Sequence, residues 1–169
     1  GLRRFIDFPY HLYAKSPNWV PALRSEELNT FHPKKNPAYA FSKAKFWMAF
    51  RDGKPVGRIA GIVNQRHIQK WDQCYARFGW FDFFDDPAVS TALIQTVENW
   101  AQSQRLTALH GPLGFTDLDR EGMLIEGFDE MGTLATHYNF AYYQRHMESA
   151  GYVKDTDWVE YEIIIPEKL

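Results

Sequence analysis

The sequence predicts an α+β fold, a mixed sheet that is mainly antiparallel with helices on its flanks. Three observations carry that reading. An Asp52-Gly53 pair lies between two apolar runs, the signature of a two-residue hairpin turn. Residues 87–103 hold apolar side chains at helical spacing behind an Asp86-Pro87 start. β-branched and aromatic runs stand on both sides of that helix, so strand, helix and strand follow one another.

Taken in order, residues 5–13 and 21–28 read as short helices separated by Lys15-Ser16-Pro17-Asn18, and residues 29–37 as an irregular, proline-broken stretch. Residues 46–50 and 56–63 form the hairpin around Arg51-Asp52-Gly53-Lys54-Pro55. Residues 64–73 are a polar connection. Residues 74–84 are the third strand, in which a period of two places Ala76, Phe78, Trp80 and Phe84 on one face. The helix from Pro87 to about Ser103 presents Val89, Leu93, Ile94, Val97, Trp100 and Ala101 on one stripe. At 1.5 Å per residue it is roughly 25 Å long. Residues 106–110 form a strand stopped by Gly111-Pro112, and residues 114–133 are turn-rich around a short strand at 123–125. Residues 138–150 read as a second helix with Gly151 as its C-terminal stop. Strands close the chain over 152–165, the strongest at 158–165.

The 169 residues suit one domain, and 45% hydrophobic with 17% aromatic residues supply a core without staples. Nineteen Lys and Arg against 21 Asp and Glu give a net charge of −2, which speaks against a basic nucleic-acid face. The single cysteine, Cys74, excludes internal disulfides and Cys-based zinc clusters. It reads as a small buried hydrophobe and fits a reducing compartment. No apolar run approaches the roughly 20 residues of a membrane span. The first residues lack a signal-peptide core, so a cytoplasmic location is expected. The sequence starts at Gly1 without Met, and we expect a single domain over 1–169 trimmed from a longer chain.

The order of elements resembles the GNAT (GCN5-related N-acetyltransferase) acyltransferase fold apart from that fold's first strand. Residues 51–59, Arg-Asp-Gly-Lys-Pro-Val-Gly-Arg-Ile, resemble the family's second-to-third strand hairpin, and residues 139–152, ending Ala150-Gly151-Tyr152, its last helix and Gly-aromatic step. Phe5-Ile6-Asp7-Phe8-Pro9-Tyr10-His11-Leu12-Tyr13, His110-Gly111-Pro112, Gly127-Phe128-Asp129 and Tyr142-Tyr143 together resemble a bacterial subgroup of GNAT-like N-acyltransferases.

The resemblance implies transfer of an acyl group from acetyl-CoA, a longer acyl-CoA or another thioester to a small-molecule amine. In that fold CoA lies along the strand before the long helix and at the helix start. This places cofactor contacts at Phe81, Phe83, Phe84, Asp86, Ala88, Val89 and Ser90. Helix starts favour anions, yet the stretch 83–91 holds no glycine, and Asp85, Asp86 and Pro87 replace the family's glycine loop. The same three residues also make a plain helix start. The family's thiolate-protonating tyrosine falls on Met147, so Tyr143 or His146 is the candidate acid. His110, at a strand end, is the candidate base. Asp117, Asp129 and Asn139 are candidate acceptor contacts in the loop-rich segment that follows.

The rival expectation is a catalytically silent GNAT-like domain that binds a ligand or a protein. A homodimer, or contact with a second domain, is the expected protein partner through the sheet edge the first strand would fill. No two of the six histidines stand three or four residues apart, so no metal site is expected. Ser90 lies in no Gly-x-Ser-x-Gly elbow.

Overall fold

The computed structural model describes residues 1–161 and 163–165. It opens with α1 (Leu2–Leu12) and α2 (Arg24–Thr30), then a single 3-10 turn (Pro37–Ala40). The sheet follows as β1 (Ser42–Arg51) and β2 (Lys54–Asn64), then α3 (Gln65–Trp71), β3 (Tyr75–Phe83), α4 (Pro87–Ser103) and β4 (Ala108–His110). The last helix is α5 (Tyr142–Ser149). The strands lie in the order β1-β2-β3-β4, antiparallel except for the parallel β3–β4 pair. This is the mixed, mainly antiparallel sheet that the sequence predicts.

The hairpin turn is Asp52-Gly53, with φ of 49° and 76°, the left-handed pair that a tight two-residue turn needs. α4 matches its expected span, because Asp86 Oδ1 accepts the Ala88 N–H at 2.9 Å and Pro87 fills the first turn. Its stripe packs on one face of the sheet against Ile59, Val63, Phe78, Phe81 and Phe83. Gly57 and Gly61 face it, and a Cβ on either would stand 2.7 Å from Leu93 or Trp100. Only glycine allows this approach of helix to sheet. The other face of the sheet carries Ala60 and Ile62 against Phe5, Ile6 and Phe31 of the N-terminal segment. Arg58 lies on that second face by the same alternation.

Several expectations are corrected. The polar connection after β2 contains α3, started by Asn64, whose side chain accepts the His67 N–H at 3.0 Å. The strand expected at 123–125 does not form. There Asn139 takes the place of a partner strand, accepting the Leu124 N–H at 2.7 Å and donating to the Leu124 carbonyl at 3.1 Å. That bond also holds residues 138–141 out of the helix, so α5 starts at Tyr142. Ala76, Phe78, Trp80 and Phe84 do not share a face. The β2–β3 register slips between Arg58 and Ala60, and Trp80 has φ of 46°. Past this bulge Trp80 packs with the N-terminal cluster while Phe81 and Phe83 return to α4. Among the described residues of 152–165 no strand forms, and Val159, Tyr161 and Ile163 are mostly exposed. That stretch has strand composition without a neighbouring strand to complete a ladder. Cys74 is exposed. Among the described residues no helix is long and apolar enough to cross a membrane.

Candidate active site

β3 and β4 pair only over Tyr75–Arg77 and Ala108–His110. One further backbone bond, Leu113 N–H to the Phe78 carbonyl at 2.7 Å, follows the pair, and then the two strands part. The outer edge of β3 from Gly79 to Phe83 is therefore free of strand pairing on that side. A polar cluster gathers at this opening. Arg58 of β2 and Asp82 of β3 are register partners, and Arg58 Nε donates to Asp82 Oδ2 at 2.7 Å. Arg58 Nη1 also donates to the Phe5 carbonyl at 2.9 Å and stands 3.9 Å from Glu27. The other Asp82 oxygen accepts the Tyr13 hydroxyl at 2.7 Å. Both Arg58 and Asp82 are buried, which is tolerable only because each is paired and hydrogen-bonded.

The cluster lines a cavity of about 50 Å3 beneath α1, closed by Tyr10, Tyr13, Trp19, Trp80 and Tyr138, with Glu27, Arg120 and His137 at its wall. Burial raises the pKa of the Glu27 carboxyl, although Arg58 and the Trp80 indole N–H at 3.0 Å pull it the other way. Burial lowers Arg120 and holds the His137 imidazole below its ordinary 6.5, so His137 is neutral at physiological pH. The cavity thus offers carboxylates beside a neutral imidazole, a combination that can hold a primary amine and take its proton.

On the α5 side the same opening is closed by tyrosines. The Phe83 N–H donates to the Tyr143 hydroxyl at 3.2 Å, and the Tyr142 hydroxyl donates to the Phe83 carbonyl. Tyr143 and Tyr13 meet hydroxyl to hydroxyl at 2.8 Å. Burial, and next the nearby Asp82 charge, push both phenols well above 10, so both keep their protons.

At the start of α4, the Asp86 carboxylate accepts the Ala88 N–H and pairs with Arg51, while the Asp86 backbone carbonyl accepts the Val89 and Ser90 N–H groups. Arg51, foremost, holds its carboxyl below the usual range. Asp85 accepts His146 Nε2 at 2.8 Å and Arg145 at 2.7 Å, and His146 Nδ1 lies 2.7 Å from Ser90 Oγ. A carboxylate only accepts, so Nε2 carries a proton toward Asp85, while the Ser90 hydroxyl also reaches the Pro87 carbonyl at 3.2 Å.

The expected site residues do not gather in one place. Tyr143, His146, Asp86, Ala88, Ser90, Phe83 and Phe84 gather where α4 and α5 begin, while Phe81 and Val89 lie in the core. His110 faces away from the cavity, into a groove beside β4, and pairs with Asp155 at 2.9 Å. Asp117 is exposed 3.7 Å from Arg77, Asp129 is exposed on its loop, and Asn139 is fully buried on the Leu124 backbone. Sequence reasoning missed Arg58, Asp82, Glu27, Tyr13, Arg120 and His137. A signal existed for two of them: Arg58 and Asp82 each interrupt an apolar strand, and facing charges in adjacent strands imply a pair.

A superposition decides the fold. An aminoglycoside acetyltransferase from an uncultured soil metagenomic sample, crystallised with sisomicin, aligns at a TM-score of 0.52 and 7% identity, over 97% of this chain and 88% of that one. The chain has the GNAT acyltransferase fold. Within the GNAT fold, α4 is the long central helix and the β3–β4 opening is its splay. No family model matches the chain. Protein YghO of Escherichia coli (strain K12) is 35% identical over 159 residues, 92% of this chain and 40% of that protein. The bacterial ceramide synthase of Caulobacter vibrioides (strain NA1000 / CB15N) is 32% identical over 162 residues, 95% of this chain and 42% of that protein. The GNAT-fold chain therefore spans about two fifths of the length of these relatives. Among the described residues no cluster of three or more metal-ligating side chains occurs.

Proposed function

We propose that the chain is the acyltransferase part of an enzyme that moves an acyl group from a CoA thioester to a primary amine. The observation that carries the proposal is the buried Asp82, held by Arg58 and Tyr13 at the wall of a cavity where β3 and β4 part. The amine enters the cavity between α1 and β3, where Asp82 and Glu27 attract its ammonium form and neutral His137 takes the first proton, freeing the lone pair. The thioester lies along the open edge of β3. The amine nitrogen then attacks the thioester carbon, the carbon–sulfur bond breaks, the nitrogen passes its second proton to Asp82, and Tyr143 protonates the departing sulfur. Acetyl-CoA and long-chain acyl-CoA are the donors to compare, and the relative named a ceramide synthase supports the long chain with an amino-alcohol acceptor.

The test is amide formation by the protein at the full length of its relatives, with palmitoyl-CoA or acetyl-CoA and a panel of amino alcohols, read by mass spectrometry. Amide from either donor supports the reading, and no amide from any pair overturns it. A second reading, a silent GNAT-fold domain, is favoured by one specific observation. Asp86 occupies the first amides of α4, and Tyr142 with Tyr143 occupies both edge groups of Phe83. That reading predicts no amide.

A further inference from the structure

A chain of four buried side chains crosses the opening between β3 and β4. Arg58 donates to Asp82, Tyr13 donates to Asp82, and Tyr13 meets Tyr143, which receives the Phe83 N–H. Tyr13 caps the end of α1 on one side of the sheet and Tyr143 belongs to α5 on the other, and 130 residues separate them. Each hydroxyl has one proton. Because Tyr13 gives its proton to the Asp82 carboxylate, the proton between the two phenols is that of Tyr143. The polarity at rest therefore runs from Tyr143 through Tyr13 to Asp82.

We propose that Tyr13 is a positioning residue that couples Asp82 to Tyr143, so that the proton leaving the amine reaches the departing sulfur. This rests on the acyl-transfer reading above. The nitrogen–carbon bond forms as the carbon–sulfur bond breaks, and the amine proton passes to Asp82. Asp82 then gives a proton to the Tyr13 oxygen, Tyr13 gives its own to the Tyr143 oxygen, and Tyr143 gives its own to the sulfur. The products are an amide and a neutral thiol. Asp82 is again ionised, and both phenols have turned their hydroxyls and turn back before the next cycle. Burial keeps both phenols protonated throughout, which suits carriers and excludes them as resident bases.

The test is palmitoyl-CoA or acetyl-CoA turnover with an amino alcohol by the protein at the full length of its relatives, in mixtures of light and heavy water. In the unmutated protein the rate falls along a curved line with deuterium fraction, as several protons move together. Tyr13→Phe keeps the ring and removes the link. Positioned proton transfer is worth about 10²–10⁴-fold, so kcat falls about tenfold or more, KM for donor and amine stays within about twofold, and the line becomes straight. An unchanged kcat with an unchanged curve in a folded Tyr13→Phe overturns the relay alone. If Tyr13→Phe does not fold, the unmutated protein decides, because a straight line there overturns the relay. No amide from the unmutated protein overturns the acyl-transfer reading and the relay with it.

Discussion

The two sides of the β3–β4 opening use similar residues for opposite ends. On the α1 side Asp82, Arg58, Glu27, Arg120 and His137 line a cavity of about 50 Å3. On the α4–α5 side Asp85, Asp86, Arg51, Arg145, His146 and Ser90 bond to one another. The buried charges of the first side, Arg58 and Asp82, hold each other and stand at the wall of a cavity that a ligand can enter. Charge that pairs with charge at a helix start works as a fastener. On the proposed reading the first side carries the chemistry and the second fastens the helix starts.

The largest expected break in this comparison is Arg58→Ala. It strands the Asp82 carboxylate in the protein interior, and stranding one partner of such a pair costs about 3–5 kcal/mol. Urea unfolding measures the loss, and a loss within about 1 kcal/mol would show that water reaches Asp82. His146→Ala acts on the fastening side. It removes the His146 hydrogen bonds to Asp85 and Ser90, at a cost of about 1–3 kcal/mol, and amide formation at a temperature where the variant is folded stays within about twofold. A collapse of rate in that folded variant would move the chemistry to α5.

A smaller effect sharpens the cavity side. The unfolded His137 imidazole protonates near 6.5 and the folded one only at lower pH, so the unfolded chain binds more protons between those values. Stability therefore falls as pH drops from 7 toward 5, and His137→Gln flattens that fall in thermal melts taken across the range. Smaller still is Glu27→Gln. Burial raises the folded pKa of Glu27 above 4.5, so stability is lost as pH rises from there through the folded value. Glu27→Gln removes that loss and raises the midpoint of unfolding at pH 7, and a lowered midpoint would show that Arg58 and Trp80 outweigh burial.

Local signals made much of the fold legible in the sequence. The Asp52-Gly53 turn and the Asp86-Pro87 start of α4 depend on neighbours in the chain, and both stand where the sequence puts them. The bulge at Trp80 was hidden because an alternating strand and a bulged one share a composition, and only the register against β2 distinguishes them. The stretch 158–161 and 163–165 was misread for the converse reason. Val159, Tyr161 and Ile163 favour strands, but a ladder needs a second strand. The cavity was the least legible. Tyr13, Asp82 and Tyr143 are distant in sequence and meet only after α1 and α5 pack on opposite sides of β3. Family resemblance drew attention to Tyr143, His146, the α4 start and His110, whereas the pairing of Arg58 with Asp82 was written in two interrupted apolar strands.

The most direct measurement is the rate of amide formation from palmitoyl-CoA or acetyl-CoA with amino-alcohol acceptors, for the protein at the full length of its relatives and for its Asp82→Asn variant. It is taken where circular dichroism shows both to be folded. The account predicts amide from the unmutated protein and a fall of about 100-fold or more in Asp82→Asn. Equal rates, or no amide from either protein, would contradict it.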